Sequence, residues 1–224
     1  MNSLISLRYA LSLVLLFSAL AQAATSPQTE IDQAAKLIRH ARDTQSTEDF
    51  RAAGLVAAKA LATEPENFDA QRYQAMALLG EKDLTAALDL ASKLNKRVPD
   101  DIGIWAILSE IHAARDEYDE AERCAQWVLD LRRNSPLAFS TAARLREIYG
   151  DYDGAAEFYS EALNRTSPSD AEERSWLLVQ SARILLRTKN YAGAAATLDQ
   201  AEKLFPNSVQ VLEMKAELAR TKGE

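Results

Sequence analysis

A period of 34 residues constrains this sequence more than any other feature, because it recurs over most of the 224-residue chain. Alanine returns at four positions that are each 34 residues apart, and at a fifth position 39 residues further on. These five alanines are Ala53, Ala87, Ala121, Ala155 and Ala194. An aromatic residue or leucine stands three places before each of them, at Phe50, Leu84, Tyr118, Tyr152 and Tyr191. A regular period of this length is typical of proteins that stack copies of one small structural unit.

The repeated unit is predicted to be a pair of helices. Ala and Leu are abundant while the chain has only 7 Gly and 6 Pro, which favours helix. The turn sequence 150–154, GDYDG, separates two helical patterns, and prolines such as Pro99 close a unit because proline cannot continue a helix. A further ladder of small residues would let the paired helices approach closely: Ala41, Ala75, Ser109, Ala143, Ala182 and Ala216. One pair cannot bury its own apolar face, so the sequence predicts an all-α stack.

The segment 102–135, IGIWAILSEIHAARDEYDEAERCAQWVLDLRRNS, resembles the tetratricopeptide-repeat (TPR) pattern. The signature positions are occupied by Trp105, Leu108, Ser109, Tyr118, Ala121, Ala125 and Val128. This resemblance extends over residues 34–216 and implies a right-handed α-solenoid of about five TPR hairpins. The implied repeats are 34–67, 68–101, 102–135, 136–169 and 175–208, followed by a capping helix at 209–221.

Two departures from the repeat pattern lead to separate expectations. In the first repeat, His40 replaces the preferred leucine and Glu48-Asp49 replace a glycine-containing turn, so we expect a shorter, looser first hairpin. The five extra residues 170–174 precede the last repeat. Because Ser169 and Glu172 fit a capping box, we expect this insertion to lengthen the following helix by about a turn and a half.

The N-terminus has the pattern of a secretory signal peptide over residues 1–23. Arg8 precedes the apolar run 11–20, LSLVLLFSAL, and Ala21-Gln22-Ala23 fits a cleavage site. We therefore expect an exported protein, periplasmic or secreted, with a short leader at 24–33. The run is shorter than the roughly 20 residues of a spanning helix, and an uncleaved anchor is the alternative. Cys124 is the only cysteine, so an internal disulfide is excluded and a buried apolar role is expected.

The TPR resemblance places the first helix of each hairpin on a concave face, and this predicts a partner-binding surface. The predicted binding residues are Arg144, Trp176, Arg183, Arg187, Arg72, Met76 and Glu110. Arg183 and Arg187 are four apart on one helix face, where like charges repel. Either an anionic ligand is held by Arg144, Arg183 and Arg187 beside Trp176, or Glu147 pairs internally with Arg183 or Arg187. The Lys/Asn carboxylate clamp of chaperone-binding TPR proteins is not matched, because the asparagines are missing.

The motifs of catalysis are missing from the sequence. It contains no HExxH, CxxC, GxSxG or GxxxxGK[ST], so we predict no catalytic residues, no cofactor and no metal site. A formal net charge of −7 disfavours nucleic-acid binding. The predicted function is a non-enzymatic interaction module of the cell envelope that binds an extended peptide or partner helix in the concave groove. The alternative is a fixed accessory subunit of an envelope export or surface-structure assembly machine. Oligomeric state is left open.

Overall fold

The computed structural model describes residues 26–223, and this part of the chain contains eleven α-helices and no strand. The predicted signal peptide at 1–23 lies outside the described residues. The helices are α1 (Pro27–Thr44), α2 (Thr47–Thr63), α3 (Phe68–Gly80), α4 (Leu84–Arg97), α5 (Ile102–Ala114), α6 (Tyr118–Leu131), α7 (Pro136–Ile148), α8 (Tyr152–Arg165), α9 (Ala171–Arg187), α10 (Tyr191–Leu204) and α11 (Val209–Lys222). Ten of them form five consecutive hairpins, and α11 follows as a single helix. The predicted all-α solenoid is confirmed.

Each hairpin turns at a residue with left-handed backbone conformation. In four of the five hairpins this residue carries a side chain, whereas the fourth uses Gly150. The five positions, with φ from 53° to 77°, are Gln45, Lys82, Asp116, Gly150 and Lys189. In four of the hairpins, the residue that follows then caps the second helix with its side chain, as Asp151 does by accepting a hydrogen bond from the Gly154 N–H at 3.0 Å. The turns are therefore two or three residues long and sharply defined.

Both series of small residues lie in the contact between the helices of each hairpin. Ala53, Ala87, Ala121, Ala155 and Ala194 have at most 1% of their surface exposed. Ser109 is also buried, and its hydroxyl donates to the Ala121 carbonyl at 2.9 Å, so the polar group is satisfied inside the third hairpin. Ala216, on the single helix α11, is exposed in the described structure.

The first hairpin differs from expectation. Residues 27–33, which we predicted to be part of a leader, form the first two turns of α1, because Ser26 caps the helix, Pro27 occupies its first turn and Ile31 is buried. The hairpin is also longer than the others, with helices of 18 and 17 residues, so the prediction of a shorter unit was wrong. His40 lies 3.1 Å from the Asp49 carboxylate and helps to tie the two helices together.

The insertion before the last hairpin lengthens a helix, as expected. α9 has 17 residues, against 13 in each of α3, α5 and α7. The N-cap is Asp170 rather than Ser169, and its carboxylate accepts from the Glu173 N–H at 3.2 Å. The added turn carries Arg174, whose guanidinium donates to the carbonyls of Leu163 and Thr166 at the end of α8.

The two ends of the solenoid meet. Helix α1 contacts α11, and the Arg39 guanidinium lies 3.4 Å from the Glu172 carboxylate of α9. About one helical turn further along α1, Arg42 stacks on Trp176, which is also in α9. The Arg42 Cζ lies 4.7 Å from the centre of the Trp176 ring. Five hairpins therefore curve far enough to bring the first against the fifth, and the concave face becomes a chamber walled by helices from both ends.

Candidate partner-binding groove

The concave face encloses a cavity of about 760 Å³ between the first helices of the five hairpins. This volume lies within the range of about 300–1,000 Å³ found for ligand-binding clefts. The residues predicted from the sequence that line it are Arg72, Met76, Glu110, Arg144, Trp176 and Arg183. The seventh predicted residue, Arg187, lines two adjoining cavities of about 660 and 310 Å³ that also contain Arg144.

One wall of the groove is apolar. α3 contributes Met76 and Leu79, and α5 contributes Ala106, Ile107 and Ala113. The shape of this wall follows from the repeat, because small residues on α5 leave room while the neighbouring helices supply larger side chains. Burying the apolar side chains of a partner against this wall lowers the free energy of the complex.

The groove is positively charged although the whole chain is acidic. Five basic and two acidic side chains line it, a formal net charge of +3 in a chain of −7. The basic residues are Arg42, Arg72, Lys82, Arg144 and Arg183, and the acidic ones are Glu110 and Asp116. Charge of one sign in a low-dielectric cleft raises the local concentration of oppositely charged groups.

Two of the groove arginines lie within 4 Å of a carboxylate. Arg72 lies 2.8 Å from Asp69 and 3.9 Å from Asp101. Arg144 lies 3.8 Å from Glu110, and this neighbouring carboxylate raises the pKa of the Arg144 guanidinium further above its ordinary value. Since the Arg144 side chain remains 40% exposed, it stays available to a second acceptor.

Arg183 and Arg187 do not form the ion pair with Glu147 that the sequence left open as an alternative. Arg183 donates to the neutral amide oxygen of Gln180 at 2.7 Å. Glu147 instead accepts a hydrogen bond from the buried Tyr159 hydroxyl at 3.3 Å, and burial together with this carboxylate raises the Tyr159 pKa. Among the side chains of residues 26–223 that are described, no carboxylate forms an ion pair with Arg183 or Arg187. The internal pairing with Glu147 is therefore not formed.

One family model of the tetratricopeptide repeat matches residues 38–102 and again residues 108–171. A second tetratricopeptide-repeat model matches residues 149–218. These matches cover well over half of the chain. The protein is a member of the tetratricopeptide-repeat family.

Solved structures support the TPR fold. A thermophilic TPR protein of Thermus thermophilus superposes with a TM-score of 0.71 at 17% identity, covering 89% of this chain and 100% of that chain. The Cut9-Hcn1 hetero-tetramer of the APC/C gives 0.71 at 18% identity, covering 92% of this chain and 37% of that chain. A TPR protein of Parabacteroides merdae gives 0.68 at 17% identity, covering 95% and 78%. The comparison with curated proteins found no match.

The TPR pattern locates most of the groove but misses part of it. Phe50 and Thr47 of α2, and Tyr118 of α6, also line the cavity. They stand at the start of second helices, which the pattern assigns to the outer face, and they reach the groove because the hairpin turns are short. Not every residue of the first helices faces the groove, since Ile38 of α1 and Val179 of α9 are buried in the core.

Three further features of the TPR protein bear on its chemistry. Within residues 26–223, no group of three or more His, Cys, Asp or Glu side chains could hold a metal ion. In that same part of the chain, no helix is both long enough and apolar enough to cross a bilayer. Cys124 is 6% exposed in the core around Ile104 and Leu108, as expected for a structural cysteine.

Proposed function

We propose that this TPR protein is a non-enzymatic interaction module of the cell envelope that binds an extended peptide or a partner helix in its concave groove. The observation that carries the proposal is the groove itself, a cavity of about 760 Å³ with an apolar wall and a net positive charge in an acidic chain. Peptide ligands are commonly held by a rigid groove that provides pockets for their side chains. A preformed groove also lowers the ordering cost of binding.

The preferred partner presents an acidic group beside apolar side chains. The guanidinium groups of Arg144, Arg183 and Arg187 border connected cavities, and Arg183 is satisfied only by an amide. Arginine forks bind carboxylates with two parallel hydrogen bonds, which adds both strength and geometric selectivity. The apolar side chains of such a partner would contact Met76 and Leu79 on the opposite wall.

The location in the envelope rests on the N-terminal segment. Its basic residue, apolar run and small-residue site at 21–23 are the features of a signal peptide. Expression of the full chain with a C-terminal tag, followed by fractionation and N-terminal sequencing, tests this part. A mature N-terminus near residue 24 in an exported fraction supports it, and a cytosolic product that retains residue 1 rejects it.

A crosslinking pull-down with the mature chain tests the groove. The bait is compared with the double variant Arg183→Glu/Arg187→Glu, which reverses both charges. The matched control is Arg132→Glu/Arg133→Glu, which makes the same charge change at exposed positions outside the groove. Partners retained by the control and lost with the groove variant support the proposal. Equal capture by both variants rejects the site.

A second candidate, a fixed accessory subunit of an envelope assembly machine, is favoured by an exposed apolar patch at the C-terminal end of the solenoid. Its four residues are between 36% and 52% exposed: Leu204, Phe205, Val209 and Leu212. Contiguous exposed apolar surface marks protein contact sites. Stoichiometric co-purification that Val209→Lys/Leu212→Lys abolishes, and that Arg183→Glu/Arg187→Glu leaves intact, would favour this role.

A further inference from the structure

The seam where α1 meets α9 differs in kind from the contacts between consecutive hairpins. Across the seam, Arg39 pairs with Glu172 at 3.4 Å, with about half of each side chain exposed. Arg42 stacks on the Trp176 ring at 4.7 Å. Exposed ion pairs contribute little to stability and are screened by salt, so these contacts close the chamber without holding it tightly.

Apolar burial does not reinforce the seam. Ile31 and Ile38 of α1 pack against α2 and α3, while α9 packs with its neighbours α7, α8, α10 and α11. No buried hydrophobic cluster of the described residues joins α1 to α9, α10 or α11. In contrast, each pair of helices within a hairpin shares fully buried alanines.

Polar groups inside the seam are incompletely satisfied. Gln210 of α11 is 3% exposed and borders a cavity of about 30 Å³ between α1, α9 and α11. Its amide nitrogen has no hydrogen-bond partner in the described structure. Glu173 borders the same cavity, and burial raises the pKa of its carboxyl group. A buried polar atom without a partner costs free energy, which makes the closed seam less favourable than a packed interface.

We propose that the α1–α9 seam is a latch that opens to give a partner lateral access to the groove. Opening separates Arg39 from Glu172 and Arg42 from Trp176, and it uncovers the Trp176 ring toward the groove. The motion needs no local unfolding, because small rotations at each hairpin interface add up along a solenoid. The role in partner access depends on the proposed function, whereas the opening itself is a property of the chain.

Distance measurements between two nitroxide labels test the opening in the absence of any ligand. The labels are attached at Lys36→Cys on α1 and Gln200→Cys on α10, both exposed, in the mature chain carrying Cys124→Ala. The reference protein should give one narrow distribution. Arg39→Glu should move a substantial population to longer distances, and the charge swap Arg39→Glu/Glu172→Arg should restore the narrow distribution.

The matched control breaks an ion pair of the same kind elsewhere. Arg51 of α2 lies 3.5 Å from Glu81, which immediately follows α3, with no involvement of the seam. Arg51→Glu should leave the distribution unchanged. The latch is rejected if Arg39→Glu superposes on the reference, if the charge swap remains open, or if Arg51→Glu opens the chain equally.

The two proposals can fail separately. If the latch controls access, Arg39→Glu should capture the pull-down partner faster than the reference, whereas Arg183→Glu/Arg187→Glu captures none. Capture at the reference rate despite an opened distance distribution would overturn the access role. An opened distribution with no partner captured by any bait would reject the proposed function and leave the latch standing.

Discussion

The ring of Phe50, in the first turn of α2, lies against the backbone of Gly80, the last residue of α3. A Cβ atom at position 80 would overlap this ring. In the first hairpin, the aromatic residue three places before the hairpin alanine thus fills the space over the second hairpin, and it requires a residue without a side chain there.

Substituting Gly80 tests this contact. We expect Gly80→Ala to lower the free energy of unfolding by about 1–3 kcal/mol, the usual cost of forcing extra atoms into a packed site. Gly54→Ala is the control, because its added Cβ would lie 3.2 Å from the Ala77 Cβ and the helix gains propensity. Urea unfolding measures both, and equal losses would contradict the proposed role of Phe50.

Four hairpin turns place residues with side chains in the left-handed region, where glycine has no steric penalty. Lys189, at φ 61°, is exposed. We expect Lys189→Gly to raise the free energy of unfolding by about 1 kcal/mol, since an L-residue is disfavoured there. The same change in a helix interior, Lys93→Gly in α4, should lower it by about 0.5–1 kcal/mol. Destabilisation by both would show that the Lys189 side chain contributes contacts that outweigh the backbone.

Arg174 gives the inserted turn of α9 a structural purpose. Its guanidinium donates to the Leu163 carbonyl at 3.0 Å and to the Thr166 carbonyl at 3.1 Å, both at the end of α8. We expect Arg174→Ala to cost about 1.5–3 kcal/mol, as for the loss of charge-assisted hydrogen bonds. Arg123→Ala, which removes an exposed pair with Glu120, should cost less than about 1 kcal/mol. Thermal unfolding of both variants measures the difference.

Burial raises the pKa of the Cys124 thiol to about 11. Because the thiolate is the reactive form, a disulfide reagent at pH 7.5 should label native Cys124 at least about 100-fold more slowly than in urea. The rate should rise with denaturant in parallel with unfolding followed by circular dichroism. Rapid labelling of the native protein would show that the core around Cys124 opens without global unfolding.

Glu173 makes stability depend on pH. Burial raises its pKa, and this outweighs the attraction of Arg42 and Arg39. A carboxyl whose pKa is raised by folding favours the folded state below its unfolded pKa, and this contribution is lost as pH rises through the folded pKa. We therefore expect Glu173→Gln to raise the melting temperature at pH 7 and to have little effect near pH 4.

The comparison for this pH effect is Glu157→Gln, at an exposed position of α8. It should leave the melting temperature unchanged at both pH values. A Glu173 variant that is less stable than the reference at pH 7 would mean that attraction to the arginines exceeds the cost of burial.

Local patterns explain what was predictable in the candidate site. Met76, Glu110, Arg144 and Arg183 occupy the same place in successive repeats. The sequence therefore put them on one concave surface, and in the structure they line one cavity. The charge balance there was not predictable in detail. The repeat pattern allowed Glu147 to pair with Arg183 or Arg187. In the structure, the Glu147 carboxylate instead accepts a hydrogen bond from the buried Tyr159 hydroxyl. Side-chain partners depend on rotamers and neighbours that a repeat does not encode.

The sequence by itself determined the helical hairpin, because its small residues, aromatic residues and prolines act within about 34 residues of one another. It also indicated the longer α9, since an insertion ahead of a helix with a capping signal extends that helix. Only the tertiary structure decided that Arg42 reaches Trp176 and that the groove is walled from both ends. That contact joins the first and fifth hairpins. The distance between these two hairpins depends on the small rotations at all four interfaces between them, and no single stretch of sequence encodes that total.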